Sequence, residues 1–443
     1  MEFDTLLLSR LLTAITLCFH IIMATVGVGI PIFFSLAELI GIKKKDPHYH
    51  LLARRWARGY VIVVAVGVVT GTIIGLQLSL LWPRFMQASG QIISLPLFLE
   101  TFAFFFEAIF LGIYLYTWDR FKPIYHWLLS LPIILGASAS AFFITSANAF
   151  MNTPQGFDVE NGLFTNIKPL VAMFNPATPS KVAHVLTSAY LTSAFILAAI
   201  SAYFILKGKS HVYYKKALHL TMIGCFVFGM ATVLNGDFAG KFLAKYQPEK
   251  LAAAEWHFET ETRAKLILGG ILDEEEQTAR FALNIPFGLS ILAFNSPNAE
   301  VIGLNEFPKE LWPPLFIHHF FNLMIFIGMY LLAVAAAYFM FNYFTRLNPL
   351  HPWLLRSIIL GGPLAILAIE FGWIMTEVGR QPWILRGFMK VSEGVTTNPY
   401  VFEMLILFSL LYMMLAILLP TILIRLFKSK SAEMELEKKE IIL

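Results

Sequence analysis

Charge is scarce in this chain. Asp, Glu, Lys and Arg together make up 14% of its 443 residues, and the formal net charge is only +4. Nucleic-acid binding needs a concentrated basic stripe, and the few cations here are scattered, so nucleic acid is excluded as a partner. Cysteine is scarcer still. Cys18 and Cys225 sit inside apolar runs with no CxxC or other ligand spacing, which excludes a disulfide framework and thiolate ligation and leaves both as small buried hydrophobes. Internal repeats and low-complexity tracts are missing. No cleavable leader is expected, because Glu2 and Asp4 precede the first apolar run and no small-residue cleavage site follows at the usual distance.

What fills the chain instead is apolar. Hydrophobic residues reach 57%, against roughly 45–50% in soluble domains, and runs of about 20 uncharged residues, long enough to cross a bilayer, recur from end to end. The pattern predicts an all-α integral membrane protein of about nine transmembrane helices. They are placed over Leu11–Leu39, Gly59–Leu81, Leu95–Tyr116, Trp127–Ala149, Val182–Leu206, Ala217–Asn235, Leu315–Phe341, Leu354–Val378 and Val401–Ile424. An odd number puts the two termini on opposite sides. One set of loops carries Lys43, Lys44, Lys45, Arg54, Arg55, Arg58, Arg120, Lys122, Lys207, Lys209, Lys215, Lys216, Arg346 and the Arg425–Lys439 tail; the other has only Arg10, Arg84, Lys168, Lys181, Arg380, Arg386 and Lys390. Because the cytoplasmic side keeps the excess of Lys and Arg, the N-terminus is expected outside and the C-terminus in the cytoplasm. The chain then divides into residues 1–235 with six helices, an external loop at 236–314, and residues 315–443 with three helices and a basic tail. Loops as long as 236–314, with its acidic run Asp273-Glu274-Glu275-Glu276, are uncommon without a function.

An ionised side chain in mid-bilayer costs about 2.5–3.5 kcal/mol on insertion scales, so each one marks a candidate site. The set is short: His20, Glu100, Glu107, His184, His318, His319, Glu370 and Glu377, with Met324 as a possible soft ligand. At 1.5 Å per residue, all but Glu107 and Glu370 gather in the outer half, below the long loop, on separate helices. That is the arrangement a layer of bound cofactor needs. Imidazole, thioether and carboxylate all suit haem iron, and His/Met ligation gives a low-spin, higher-potential haem. From the residues alone, His184 pairs best with His319; singly, each histidine also fits a hydrogen-bonded place inside the bundle, and Met324 an ordinary core filler.

The segment Gly372-Trp373-Ile374-Met375-Thr376-Glu377-Val378-Gly379-Arg380-Gln381-Pro382-Trp383 closely resembles the GWxxxExGRQPW signature of cytochrome bd-type quinol oxidases, subunit I. Likeness extends to His20 in the first helix, to Glu100 and Glu107 bracketing an aromatic run before Trp118-Asp119-Arg120, to Asn148–Gly156, and to Lys250-Leu251-Ala252-Ala253-Ala254-Glu255 in the external loop. The resemblance implies a low-spin haem b on His184 and Met324, replacing the pairing with His319. It also implies two high-spin haems using His20 and Glu377, with two haem b and one haem d in all, or three haem b in a cyanide-insensitive relative. Trp373, one turn before Glu377, is expected to pack between macrocycles, and Arg380 to meet haem propionates. Lys250 and Glu255 are carried over as quinol contacts. Their chemistry fits, since hydroquinone oxidation releases protons that need a positioned acceptor. Two departures stand out: Asn322 occupies a position where many relatives have arginine, two residues before the methionine, and the loop lacks the large extension of long-loop members, which places the chain in the short-loop group.

The implied activity is quinol oxidation at the outer face and oxygen reduction to water, with protons drawn from the cytoplasm and a membrane potential made without a pump, in a bacterial or archaeal cytoplasmic membrane. A second large membrane subunit (subunit II) is implied as a partner, with a small single-helix subunit in some members. Glu100 and Glu107 project from nearly one face of helix three, about 10 Å apart, as stepwise proton carriers. Burial disfavours the charged form, so Glu107 is expected to hold a proton, with Asp119 and Ser140 lining an entrance nearer the cytoplasm. Competing readings are the haem b anchor of a quinone-linked reductase and a nine-helix transporter with a proton-coupled carboxylate pair.

Overall fold

The computed structural model describes residues 4–209, 211–344 and 348–438; Glu2, Arg346 and Lys439 lie outside the described residues. Among the described residues, nine helices are long and apolar enough to cross a membrane: α1 (Thr5–Lys44), α2 (Pro47–Leu81), α3 (Pro83–Tyr116), α4 (Pro123–Asn152), α5 (Thr178–Leu206), α6 (Val212–Tyr246), α7 (Ile317–Tyr343), α8 (Pro352–Val378) and α9 (Val401–Ser429). Each predicted span coincides with one of them; only the seventh, expected from Leu315, starts later, at Ile317, and most of the others extend beyond the prediction because the ends are capped by local chemistry rather than by hydropathy. Asp4 accepts the Leu6 N–H at the start of α1, and Asp46 accepts that of His48 at the start of α2, where Pro47 occupies the first turn. Both are favourable helix starts. Lys45, in the left-handed region (φ 51°), closes α1 through the carbonyls of Gly41 and Ile42, so α1 and α2 form a tight antiparallel pair.

Helices α1–α4 pack as one group and α5–α8 as a second, joined by α1 against α5. Without a hydrophobic force between helices in lipid, close contact depends on small residues. Gly136 of α4 shows this: a Cβ there would lie 2.9 Å from the backbone N of Glu107, so the missing side chain lets α4 rest on α3 beside that carboxylate. The last helix, α9, leans on α1 and α2, and only 11% of the residues in its apolar stretch are buried, leaving most of its surface to whatever surrounds the chain.

One face of the bundle carries the long connection between α6 and α7 and is called the loop face here; the opposite, Lys- and Arg-rich face is the basic face. The sixth helix differs from expectation. It continues through Asn235 to Tyr246, so residues 236–246 are helix rather than loop, because Asp237 and Lys241 pair at i,i+4 and mask each other's charge. Next comes a short helix, Pro248–Glu255, then paired hairpin strands, Leu266–Leu268 with Leu283–Ile285 and Ile271–Asp273 with Thr278–Arg280. The acidic run is the tip of the second pair, where Arg280 binds Asp273 (2.7 Å) and Glu276 (3.4 Å).

Candidate functional site

Helices α5 and α7 both begin on the loop face, and His184 and Met324 lie six and seven residues in from Thr178 and Ile317, about 9–10 Å deep. His184 is deeper than its predicted span implied, because α5 starts a turn earlier. Two glycines give these side chains room: a Cβ on Gly236 of α6 would lie 3.5 Å from the His184 ring, and one on Gly372 of α8 would lie 3.0 Å from the Met324 sulfur. The His184 Nδ1 is buried with no partner. His319 is exposed at the start of α7 and meets the Trp256 ring edge-on at 5.1 Å, which associates it with the loop.

His20 points across α1 to α2, and its Nδ1 lies 2.8 Å from Thr70 Oγ1. That hydroxyl already donates to the carbonyls of Val66 or Gly67 (3.0 and 3.1 Å), so it accepts from Nδ1–H. In the tautomer that satisfies both contacts, Nε2 keeps a free lone pair.

Glu377 ends α8 on the loop face. It accepts from Asn148 Nδ2 (2.8 Å) and from Arg380 (2.7 Å). Lys181 at the start of α5 donates to Asn148 Oδ1 and stands 5.9 Å from the Trp373 ring centroid. Arg380 is buried, and two of its N–H-bearing nitrogens, Nε and Nη1, have no acceptor among the described residues. The cysteine thiol of Cys18 is the polar neighbour of Glu370, whose two oxygens are otherwise unpartnered.

Glu107 is buried and bonded to the phenol of Tyr60, which also reaches the Gly27 carbonyl (2.9 Å). A phenol has one proton and that carbonyl only accepts, so both contacts are hydrogen bonds only when Glu107 carries a proton. Ser140 donates to Glu100 (3.1 Å); it lies level with Glu100 and not, as expected, nearer the basic face. Asp119 is at that face, exposed and paired with Arg54 at 2.5 Å.

Over the loop face, Lys250 and Glu255 are both buried in the short helix. Lys250 Nζ donates to the Thr376 carbonyl at 2.8 Å, reaching it across Gly379, where a Cβ would come within 2.7 Å of the lysine chain. Burial, and then the neighbouring Lys181, hold the Lys250 amine well below the usual lysine range. Burial pushes the Glu255 carboxyl well above the usual range against one backbone bond from Ile267, and its Oε2 has no partner. Trp256 stacks on His318 at 3.8 Å, and the His318 nitrogens meet the carbonyls of Ala254 (2.8 Å) and Gly269 (3.2 Å), pinning the short helix to α7.

The profile of the family described as "Cytochrome bd terminal oxidase subunit I" matches residues 8–431. The chain belongs to that family. It is 40% identical to a Bacillus subtilis (strain 168) chain provisionally named a cytochrome bd menaquinol oxidase subunit I, over 99% of this chain and 100% of that one. It is also 31% identical to the cytochrome bd ubiquinol oxidase subunit 1 of the same organism, over 97% of this chain and 94% of the relative. The solved bd oxidase from Geobacillus thermodenitrificans matches with a TM-score of 0.92 and 60% identity, covering 96% of this chain and 99% of that one. As a cytochrome bd subunit I, the protein is a multi-pass component of a bacterial cytoplasmic-membrane oxidase that uses haem, oxidises quinol and reduces oxygen.

The residues fit haem on their own chemistry. His20 has one ring nitrogen tied to Thr70 and the other free, the second-shell pattern of a ligating imidazole, His184 keeps a buried Nδ1 with no partner, and the unpaired Arg380 donors are what a propionate takes. The sequence reading missed Tyr60, placed near a helix start where aromatics are ordinary interfacial anchors. It also counted Lys181 as loop charge, because the span was begun at Val182.

Proposed function

We propose that His184 and Met324 hold a low-spin haem b, that His20 and Glu377 hold two high-spin haems, and that the set is two haem b and one haem d, or three haem b. The observation that carries this reading is the buried Arg380 beside Glu377, with two donors lacking acceptors next to an anion it already pairs. Bound haem supplies electron transfer and oxygen chemistry; the chain supplies ligands, charge and protons. Arg380 and Lys181 balance carboxylates at the loop face, and Trp373 packs against the macrocycles. Asn322 bonds the His318 carbonyl (2.8 Å), so it offers no cation where many relatives have arginine, and Arg380 and Lys181 take that task.

At the loop, Glu255 keeps its proton and Lys250 is disposed to take one from a quinol hydroxyl. The loop face is outside, so these protons are released there, whereas Glu107 and then Glu100 carry protons inward from the cytoplasmic, basic face. Charge therefore separates without a pump. Subunit II, and a single-helix subunit where present, complete the assembly.

Proteolysis of the 247–316 connection on right-side-out vesicles tests the quinol assignment. Quinol oxidation should fall to background while oxidation of an artificial donor such as tetramethyl-phenylenediamine continues; quinol turnover that survives complete cleavage, with the fragments shown to have dissociated, places the site elsewhere. A reduced-minus-oxidised spectrum of the purified protein decides between haem d and a third haem b by the far-red band.

A further inference from the structure

At the basic end of the α1–α4 group lies a polar cluster that none of these roles uses. Glu38 of α1, Tyr114 of α3 and His126 of α4 are at most 1% exposed. Tyr114 Oη donates to Glu38 Oε2 (2.7 Å), His126 Nδ1 lies 2.6 Å from Glu38 Oε1, and His126 Nε2 lies 2.9 Å from the Tyr114 backbone carbonyl. That carbonyl is among those the end of α3 leaves without a helical partner. Because it only accepts, Nε2 must carry a hydrogen. The Nδ1 contact with Glu38 then requires one more proton, placed either on the imidazole, giving a charged pair, or on the carboxyl, giving a neutral one. In both forms the pair holds a single proton between its two atoms and has no net charge. Without that proton a carboxylate faces a lone pair in a buried site, so the empty state draws a proton back.

The cluster has an opening on one side and a ladder on the other. Trp118 packs against His126 with its ring tilted and the centroids 4.2 Å apart, and the Arg54 guanidinium covers Trp118 at 4.8 Å. Trp118, Arg54, Arg58, Asp119 and Arg120 line a cleft of about 410 Å³, which puts one indole ring between that cleft and His126. His50, buried with an unpartnered Nε2, stands within electrostatic reach of His126, as does Arg54 of His50. In the other direction, the Ser130 and Ser35 hydroxyls are hydrogen-bonded to each other (2.7 Å), Ser130 also reaches the Trp127 carbonyl (2.6 Å), and Ser35 accepts from Trp127 Nε1 (3.1 Å). Ser35 is one turn inward of Glu38. From Ser130, α4 runs six residues, about 9 Å, to Gly136, where it rests on Glu107. That interval equals about three hydrogen-bonded water steps. Phe34 lies across it, with its ring 5.6 Å from Tyr60 and 5.2 Å from Tyr114.

We propose that the Glu38–His126 pair, steadied by Tyr114, takes protons from the basic-face cleft and loads Glu107 by way of Ser35 and Ser130. One proton leaves the Nδ1–Oε1 contact toward Glu107, and one from the cleft replaces it. This rests on the reading of Glu107 as a proton carrier, so both are tested together in the assembled oxidase. Glu38→Gln keeps acceptance from Tyr114 and donation to His126 Nδ1 but carries no transferable proton. Haem content and anaerobic reduction by quinol should stay normal, while oxygen turnover falls about 100-fold, the lower end of what loss of a proton-transfer group costs. The voltage phase of single-turnover oxygen reduction should slow in parallel. Wild-type turnover with full haem content overturns the proposal. If Glu38→Gln does not assemble, Tyr114→Phe removes only a hydroxyl, and it should slow turnover and the voltage phase severalfold; unchanged rates there overturn the proposal equally. Glu107→Gln serves as the reference. Normal turnover in that variant removes the underlying reading, whereas a defect there beside a normal Glu38→Gln removes only the loading site.

Discussion

Glu377 and Glu107 are both carboxylates within the helical bundle, yet their surroundings are opposite. Glu377 meets Asn148 and Arg380 and has Lys181 and Lys250 nearby, so it is built to keep a fixed negative charge. Glu107 has a phenol and apolar helix walls, so it is built to gain and lose a proton. The family resemblance points to both residues, but only their partners distinguish the two environments.

The strongest way to break this contrast is Glu377→Gln. It preserves the Asn148 contact and removes the charge, leaving Arg380 buried with still fewer partners, and it should reduce oxygen turnover on the order of 1000-fold, as losing a directly acting group does. Measured turnover within tenfold of wild type would make Glu377 a structural anchor. A smaller effect is expected for Met324→Leu, which fills the same space without a thioether. Redox spectra should show the low-spin haem become high-spin and its potential drop, since methionine ligation raises it; an unchanged spectrum returns His319 to candidacy. The smallest effect extends the contrast to Glu255. Its carboxyl titrates well above the usual range because of burial, so the folded loop binds a proton that the unfolded loop releases, and its stability falls as pH rises from the ordinary glutamate value toward the raised one. Lys250, held low, works in the opposite sense, gaining stability as pH rises. In Glu255→Gln the loop groups held low by burial, Lys250 and His257, both gain stability as pH rises, so protease nicking of the loop should slow as pH increases. A variant that still nicks faster at high pH would show that Glu255 is not the group responsible.

Length and hydropathy were enough to place all nine spans, because a bilayer sets both. They failed at helix ends, where pairing such as Lys241 with Asp237 hides charge that the pattern reads as an exit. The same blind spot covers function. His20, Glu100, Glu107 and Glu377 are conspicuous because they interrupt apolar runs. Glu38 lies close to Lys43, Lys44 and Lys45, and His126 falls one residue outside the predicted fourth span, so both look like ordinary boundary polarity. Only packing shows them buried together. Lys250 and Glu255 are a third case: as loop charges they carry no signal beyond the family resemblance, and their burial comes from the α6 extension, Trp256 and His318.

That extension has a practical consequence. Eleven residues of helix past Asn235, about 16 Å, act as a rigid mast that sets where the short helix lands on α7, while the acidic hairpin tip at Glu274–Glu276 is exposed to solvent and remote from it along the chain. Exposed tips of this kind accept inserted sequence. An affinity tag or fluorophore grafted between Glu274 and Glu275 would therefore give purification or surface attachment from the loop face, with the Lys250–Glu255 helix left at its working height.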